Sequence, residues 1–132
     1  MPTSLDNSYE QGPGLCLIIN QKLFYADPNI HNSIELEERI GTGEDRDKLR
    51  ETFASFGAKC LVFNDLTREE LLDTLDRTKQ RANCSQYFWI VVCVLSHGVR
   101  VQGVDHIFCC NGVGVDRNIV SMKLNCISSH IR

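Results

Sequence analysis

What this 132-residue sequence lacks narrows its function before anything it contains. It has no block of like charges: 14 basic and 17 acidic residues are scattered along it, for a net charge of −3. A chain without a polybasic patch offers no electrostatic footprint to a nucleic-acid backbone or an anionic lipid surface, so neither is expected as a partner. It has no long apolar stretch either. The longest, residues 87–95, falls well short of the ~20 residues a membrane-spanning helix needs. Residues 1–13 lack the basic start and apolar core of an export signal and read as a flexible leader. Seven cysteines without such a signal are reduced thiols of the cytosol, and an odd number cannot all pair within one chain. A cytoplasmic location is therefore expected, where the Asn83-Cys84-Ser85 triplet never meets the glycosylation machinery it would otherwise suit. Internal repeats and low-complexity tracts are missing too.

What remains has the composition of one globular domain, 42% hydrophobic and 23% charged. Leu15-Cys16-Leu17-Ile18-Ile19, apolar at every position and closed by Asn20, reads as a strand buried on both faces, the habit of parallel sheets. Residues 21–43, with Asp27-Pro28-Asn29 and Gly41-Thr42-Gly43, have no period and read as a long loop. From Glu44 the period becomes helical: Leu49, Phe53 and Phe56 share one face, and Gly57 stops the run. Residues 58–63 make a second strand. Thr67-Arg68-Glu69-Glu70 is a capping box opening a helix whose stripe is Leu71, Leu72 and Leu75. Residues 88–95, β-branched and aromatic, make the third strand. Asn111-Gly112 predicts a hairpin between residues 107–110 and 113–115, and Asp116 caps a last short helix to about Leu124. Strands alternating with helices predict a three-layer α/β sandwich, its sheet mainly parallel and flanked by helices.

In such sheets ligands bind beyond the carboxyl ends of the strands. Ser96-His97-Gly98 lies there, directly after the third strand. A histidine so placed can act as a general acid or base, and the glycine beside it leaves a backbone N–H open to a developing oxyanion. The plainer reading is a strand-ending turn that happens to hold a histidine. Arg39, in the loop after the first strand, could grip a carboxylate with its fork. With Glu35, Glu37 and Glu38 around it, a solvated local ion pair is the plainer reading there.

Taken in order, these pieces resemble the caspases, the aspartate-directed cysteine endopeptidases. Gly14-Leu15-Cys16-Leu17-Ile18-Ile19-Asn20 is similar to their first strand, and Arg39-Ile40-Gly41-Thr42 to their Arg-x-Gly-Thr element. Leu49-Arg50-Glu51-Thr52-Phe53 is similar to their first helix, and Asn64-Asp65-Leu66-Thr67-Arg68-Glu69-Glu70 to the start of their second. Val92-Cys93-Val94-Leu95-Ser96-His97-Gly98 resembles the strand and loop of their catalytic histidine. The resemblance implies that His97 is the catalytic histidine, that the Gly98 amide is one of two oxyanion donors, and that Arg39 helps hold the substrate aspartate. It implies no cofactor and no metal. It also implies cleavage of protein substrates after aspartate in programmed cell death.

The match stops short of the nucleophile. In the family a Gln-Ala-Cys-x-Gly signature lies about 50 residues beyond the histidine, farther than this sequence runs. Cys109, Cys110 and Cys126 are the cysteines left after His97, and none has those neighbours. Residues 14–132 thus resemble a partial large subunit whose sandwich is incomplete on one side. Such a chain is expected to be inactive alone and to need a caspase small subunit or another caspase chain. The short stretch before Gly14 suggests the executioner type. Two other readings stay open: a non-catalytic decoy or regulator binding active caspases, and a zinc site from His106, Cys109, Cys110, Cys126 and His130. The zinc reading suffers because adjacent strand residues point to opposite faces.

Overall fold

The computed structural model describes residues 14–84 and 87–124. The expected buried strand is β1, Leu15–Asn20, and every residue of it is buried. It lies between β2, Lys59–Asn64, and β3, Ile90–Leu95, parallel to both and in register at all six positions. In a parallel pair, alternate residues turn their amide and carbonyl toward the same neighbour. Gly14 and Asn20 accept from Lys59 and Asp65, whereas the Leu15 and Gln21 amides donate to Trp89 and Leu95. The even positions of β1 therefore serve β2 and the odd ones β3. Gly14 abuts the Trp89 ring so closely that a Cβ there would collide with it.

Alternation along β1 also sorts the two faces. Leu17 and Ile19 join Leu71, Leu75, Val120, Cys109 and Val115 in the main core, under α2, Arg68–Cys84, and α3, Arg117–Lys123. Cys16 and Ile18 point the other way, toward α1, Thr42–Ser55, whose Arg50 carbonyl accepts from the Cys60 thiol. Helix, sheet, helix is the three-layer α/β sandwich expected. The capping box is present as read: the Glu70 carboxylate accepts from the Thr67 amide at 2.9 Å, and the Thr67 hydroxyl from the Glu70 amide at 3.2 Å. Asp116 caps α3 by accepting from the Asn118 amide at 2.7 Å. Among the described residues no helix is long and apolar enough to cross a membrane.

Three expectations change. The Leu49, Phe53, Phe56 stripe is not sealed: Phe53 touches the Trp89 ring, but Phe56, at the end of α1, is 65% exposed. A single helix spread over β1 and β2 is too narrow to cover its own apolar side. The hairpin around Asn111-Gly112 is shorter in its strands, with β5, Val104–Phe108, pairing antiparallel with β6, Gly114–Asp116. Cys109 and Cys110 therefore lie in the connecting turn and not on a strand, and both are buried. Finally, β4, Gly98–Val101, was not expected. It pairs with β5 through Gln102-Gly103, both at positive φ, the primed turn that matches strand twist.

Because Leu17 is fully buried at the centre of the main core, Leu17→Ala should cost about 2–5 kcal/mol of unfolding free energy. Urea titration followed by far-UV circular dichroism measures it. A loss below the range would mean that α2 and α3 do not close over β1.

Candidate active site

The residues singled out from sequence lie on the carboxyl rim of the sheet. Gln21, directly after β1, is 1% exposed, and its amide clamps the loop ahead of α2. Nε2 donates to the Leu66 carbonyl at 2.8 Å and Oε1 accepts from the Leu66 amide at 2.7 Å. The long loop then runs across the rim as a strap. Asp65 Oδ1 takes the Lys22 and Leu23 amides, the Tyr25 amide reaches the Cys110 carbonyl, and the Ile34 amide reaches the Gly112 carbonyl. Gly112 is at φ +71, with the strap backbone at Tyr25 and Ile34 packed against it where a Cβ would stand. Only glycine suits that position.

The strap delivers Arg39. Its Nη1 donates to the Gln21 carbonyl at 3.0 Å and to the Thr42 hydroxyl at 2.8 Å. Thr42 is buried and passes its own proton to Asn20 Oδ1 at 2.5 Å. The ion-pair reading of Arg39 with its glutamates is not what forms: Glu38 pairs with Lys22, 3.5 Å away, while Arg39 turns inward to the rim. Nη1 is the arm the scaffold uses, and the planar fork has further N–H groups to offer a carboxylate.

His97 is on the same rim, beyond β3. Its Nε2 lies 2.8 Å from the Glu37 carbonyl oxygen, two residues from Arg39, and its ring packs on Phe24 at a centroid distance of 4.9 Å. A carbonyl only accepts, so Nε2 carries the proton and Nδ1 is the free nitrogen. The Glu37 contact was not foreseen. It is made by a main-chain atom, which leaves no trace in side-chain identity. Gly98 follows. The Phe108 amide donates to the His97 carbonyl at 3.0 Å, so residues 97 and 108 form a hydrogen-bonded pair. In an antiparallel ladder the next pair, Gly98 with Ile107, then turns its N–H and C=O groups outward. The Gly98 amide thus faces away from β5, and Gly98 is itself exposed.

Neither thiol of the 109–112 turn is prepared for attack. Burial pushes Cys109 up to about 12, helped by neighbouring Cys110. Burial, with Asp65 and Glu70 nearby, pushes Cys110 up to about 11. At neutral pH both carry almost no thiolate, the reactive form. Of the zinc candidates, Cys126 and His130 lie outside the described residues. Among the described residues no three His, Cys, Asp or Glu side chains converge as a metal site.

Comparison with known proteins agrees with this geometry. The family model described as a caspase domain matches residues 13–131. Caspase-3 of the mouse (Mus musculus) is 36% identical over 97 residues, covering 71% of this chain and 32% of the relative. Caspase-3 of the cat (Felis catus) is 38% identical over the same length and coverage. Among solved structures, the Drosophila initiator caspase Dronc superposes with a TM-score of 0.71 at 17% identity, covering 92% of this chain and 48% of that one. At that identity the likeness speaks for the fold. The chain belongs to the caspase family of cysteine peptidases, and it spans about a third of the length of the curated relatives it matches.

Two measurements follow from the thiols. Native protein treated with iodoacetamide at pH 8 should be alkylated at exposed Cys84, with Cys16, Cys109 and Cys110 protected until urea is added. Peptide mass spectrometry reads the order, and early labelling of Cys109 would contradict the burial described. Stability should also fall in alkali. Cys16 and Cys109 are held up to about 12 against an ordinary 9.0, both chiefly by burial. Below pH 9 both states keep those protons. Above it the unfolded chain ionises while the folded chain does not, so unfolding becomes easier between pH 9 and 12. Urea midpoints across that window should decline.

Proposed function

We propose that this chain is the histidine-bearing portion of an aspartate-directed cysteine endopeptidase of programmed cell death, working in the cytoplasm. Residues 14–132 act as its large-subunit part, with residues 1–13 ahead as a leader. One observation carries the reading: the His97 imidazole is tied by Nε2 to the strap that holds Arg39, with both groups on one rim. His97 is the acid–base residue, Gly98 supplies one oxyanion amide, and Arg39 receives the substrate aspartate.

In this mechanism a thiolate supplied from outside the described chain attacks the peptide carbonyl carbon. The oxygen gains negative charge and is met by the outward Gly98 N–H. As the C–N bond breaks, the imidazolium of His97 gives its Nδ1 proton to the leaving amine, leaving an acyl thioester. Water then attacks the thioester carbon while His97 takes its proton, and the C–S bond breaks to release the new carboxyl group and return the thiolate. The Glu37 carbonyl keeps the ring from turning, since it holds Nε2–H throughout. Aspartate is preferred because a neutral side chain would leave a half-buried guanidinium without its anion.

The isolated chain is inactive in this reading, and a small subunit or another caspase chain completes it. The free edge of β3 is where a completing strand would pair. Beside it Val92, Val94, Ile107, Val120 and Leu124, with Arg117 and Ser121, line a mixed cavity of about 290 Å³. The same cavity, in a chain whose turn thiols are held protonated, also favours a second reading: a non-catalytic regulator that docks on active caspases.

Mixing this chain with a caspase small-subunit fragment that includes the nucleophile strand decides between them. Cleavage after aspartate of a fluorogenic peptide is expected. His97→Ala should lower kcat by about 10²–10⁴-fold, the ordinary worth of general acid–base catalysis. Arg39→Ala should lower kcat/KM by about 10- to 100-fold, since hydrogen bonds to charged partners are worth roughly 1.5–3 kcal/mol. An assembled but silent mixture, with altered activity of an added full-length caspase, would replace the peptidase reading with the regulator.

A further inference from the structure

The other margin of the sheet has its own opening. Lys59 and Asp65 direct their amides to β1, so Cys60, Val62 and Asn64 turn theirs outward along the other edge of β2, which no strand among the described residues covers. Next to that edge, between β2 and α2, is a cavity of about 380 Å³. Small-ligand and side-chain pockets begin at about 300 Å³. Its apolar floor is Leu61 and Phe63, the latter 38% exposed. Its lip is Arg77 and Arg81, one turn apart on α2, with Thr74, Thr78 and Asp73 completing the wall.

The charges here run against the chain as a whole, which is net negative. Asp73 neutralises Arg77, 2.8 Å away, and Arg81 makes no salt bridge among the described residues. Lys59 opens β2, and at its far end Arg46, itself paired with Asp47 at 3.0 Å, donates from Nη1 to Asn64 Oδ1 at 3.0 Å. An exposed strand edge with unspent donors and acceptors is a template for another strand. Natural strand-adding sites take affinity from that ladder and specificity from pockets that receive alternate side chains.

We infer that the β2 edge binds an extended acidic segment of another protein as an added strand. One apolar side chain of the segment fills the cavity over Leu61 and Phe63, and the carboxylate two residues along, which points to the same face, is held by Arg81 beside the Asp73-paired Arg77. A second copy of this chain suits the edge less well, because it would bring the same Arg77, Arg81 and Lys59 against themselves. The partner is therefore a strand that presents aliphatic and acidic residues two positions apart, on the face turned to α2. This inference does not depend on the chain's having peptidase activity.

The probe is a fluorescein-labelled octapeptide, Thr-Val-Thr-Glu-Thr-Val-Thr-Glu, with the peptide carrying lysine at both glutamate positions as its match. Fluorescence anisotropy should show saturable binding of the first at least tenfold tighter than of the second. Two-dimensional amide NMR should move the Cys60, Val62 and Asn64 signals. The surface variant Arg77→Glu/Arg81→Glu should weaken binding at least tenfold with an unchanged melting curve. Val62→Pro removes an outward N–H without touching the β1 ladder and should weaken it similarly. The inference is overturned by equal binding of both peptides, by amide shifts at Ile90, Val92 and Val94 instead, or by no saturation at about 1 mM peptide. It is equally overturned if the edge proves to be a self-association surface, with sedimentation showing a dimer that Val62→Pro dissolves.

Discussion

The rim chemistry depends on the double pairing of β1. A strand hydrogen-bonded along both edges and buried on both faces has no freedom to shift, and Asn20 and Gln21 leave it at a fixed point. From there the side chains do the positioning. Asn20 orients Thr42, Thr42 and the Gln21 carbonyl orient Arg39, and the Gln21 amide fixes the turn into α2. Asn20, Gln21 and Thr42 are buried, Arg39 is half-buried, and each is satisfied by the next, which is the condition under which a polar network adds rigidity. A guanidinium so held has its position set by the scaffold alone.

The two margins of this sheet are unlike, and the difference comes from what flanks each. Beyond β3 the chain continues into an antiparallel hairpin sheet, β4-β5-β6, which together with α3 leaves a hollow of mixed lining, with Arg117 and Ser121 among aliphatic side chains. Beyond β2 the helix α2 overhangs with arginines on its lip. The second margin suits an acidic visitor.

Much of the fold was legible where local rules were unopposed. The unbroken apolar run of β1, the Thr67/Glu70 box, the Asp116 cap and the glycine at position 112 each state their geometry in side-chain identity. The failures have a common cause in partners that the local sequence does not name. Phe56 reads as a buried stripe residue, yet the layer needed to bury it is not supplied by α1 and β2. Gln102-Gly103 forms the tight turn of β4-β5 without the asparagine or aspartate that usually announces it. His97, Gly98 and Arg39 were visible as residue types at the right rim, but the Glu37 carbonyl was not, because every residue has one.

The strap has a further property. The Asp27 amide donates to the Ser33 hydroxyl at 2.7 Å, and that hydroxyl donates to the Asn111 carbonyl at 2.6 Å. The single serine closes the neck of a small lobe, residues 28–32, whose ends meet over the 110–112 turn. Lengthening such a lobe costs little, since loop-closure entropy grows only with the logarithm of length. The strap can therefore differ in size among related chains at that lobe alone, while Arg39 and the Glu37 carbonyl, downstream of the pinch, keep their positions. Variation is permitted within residues 28–32 and penalised on either side of them.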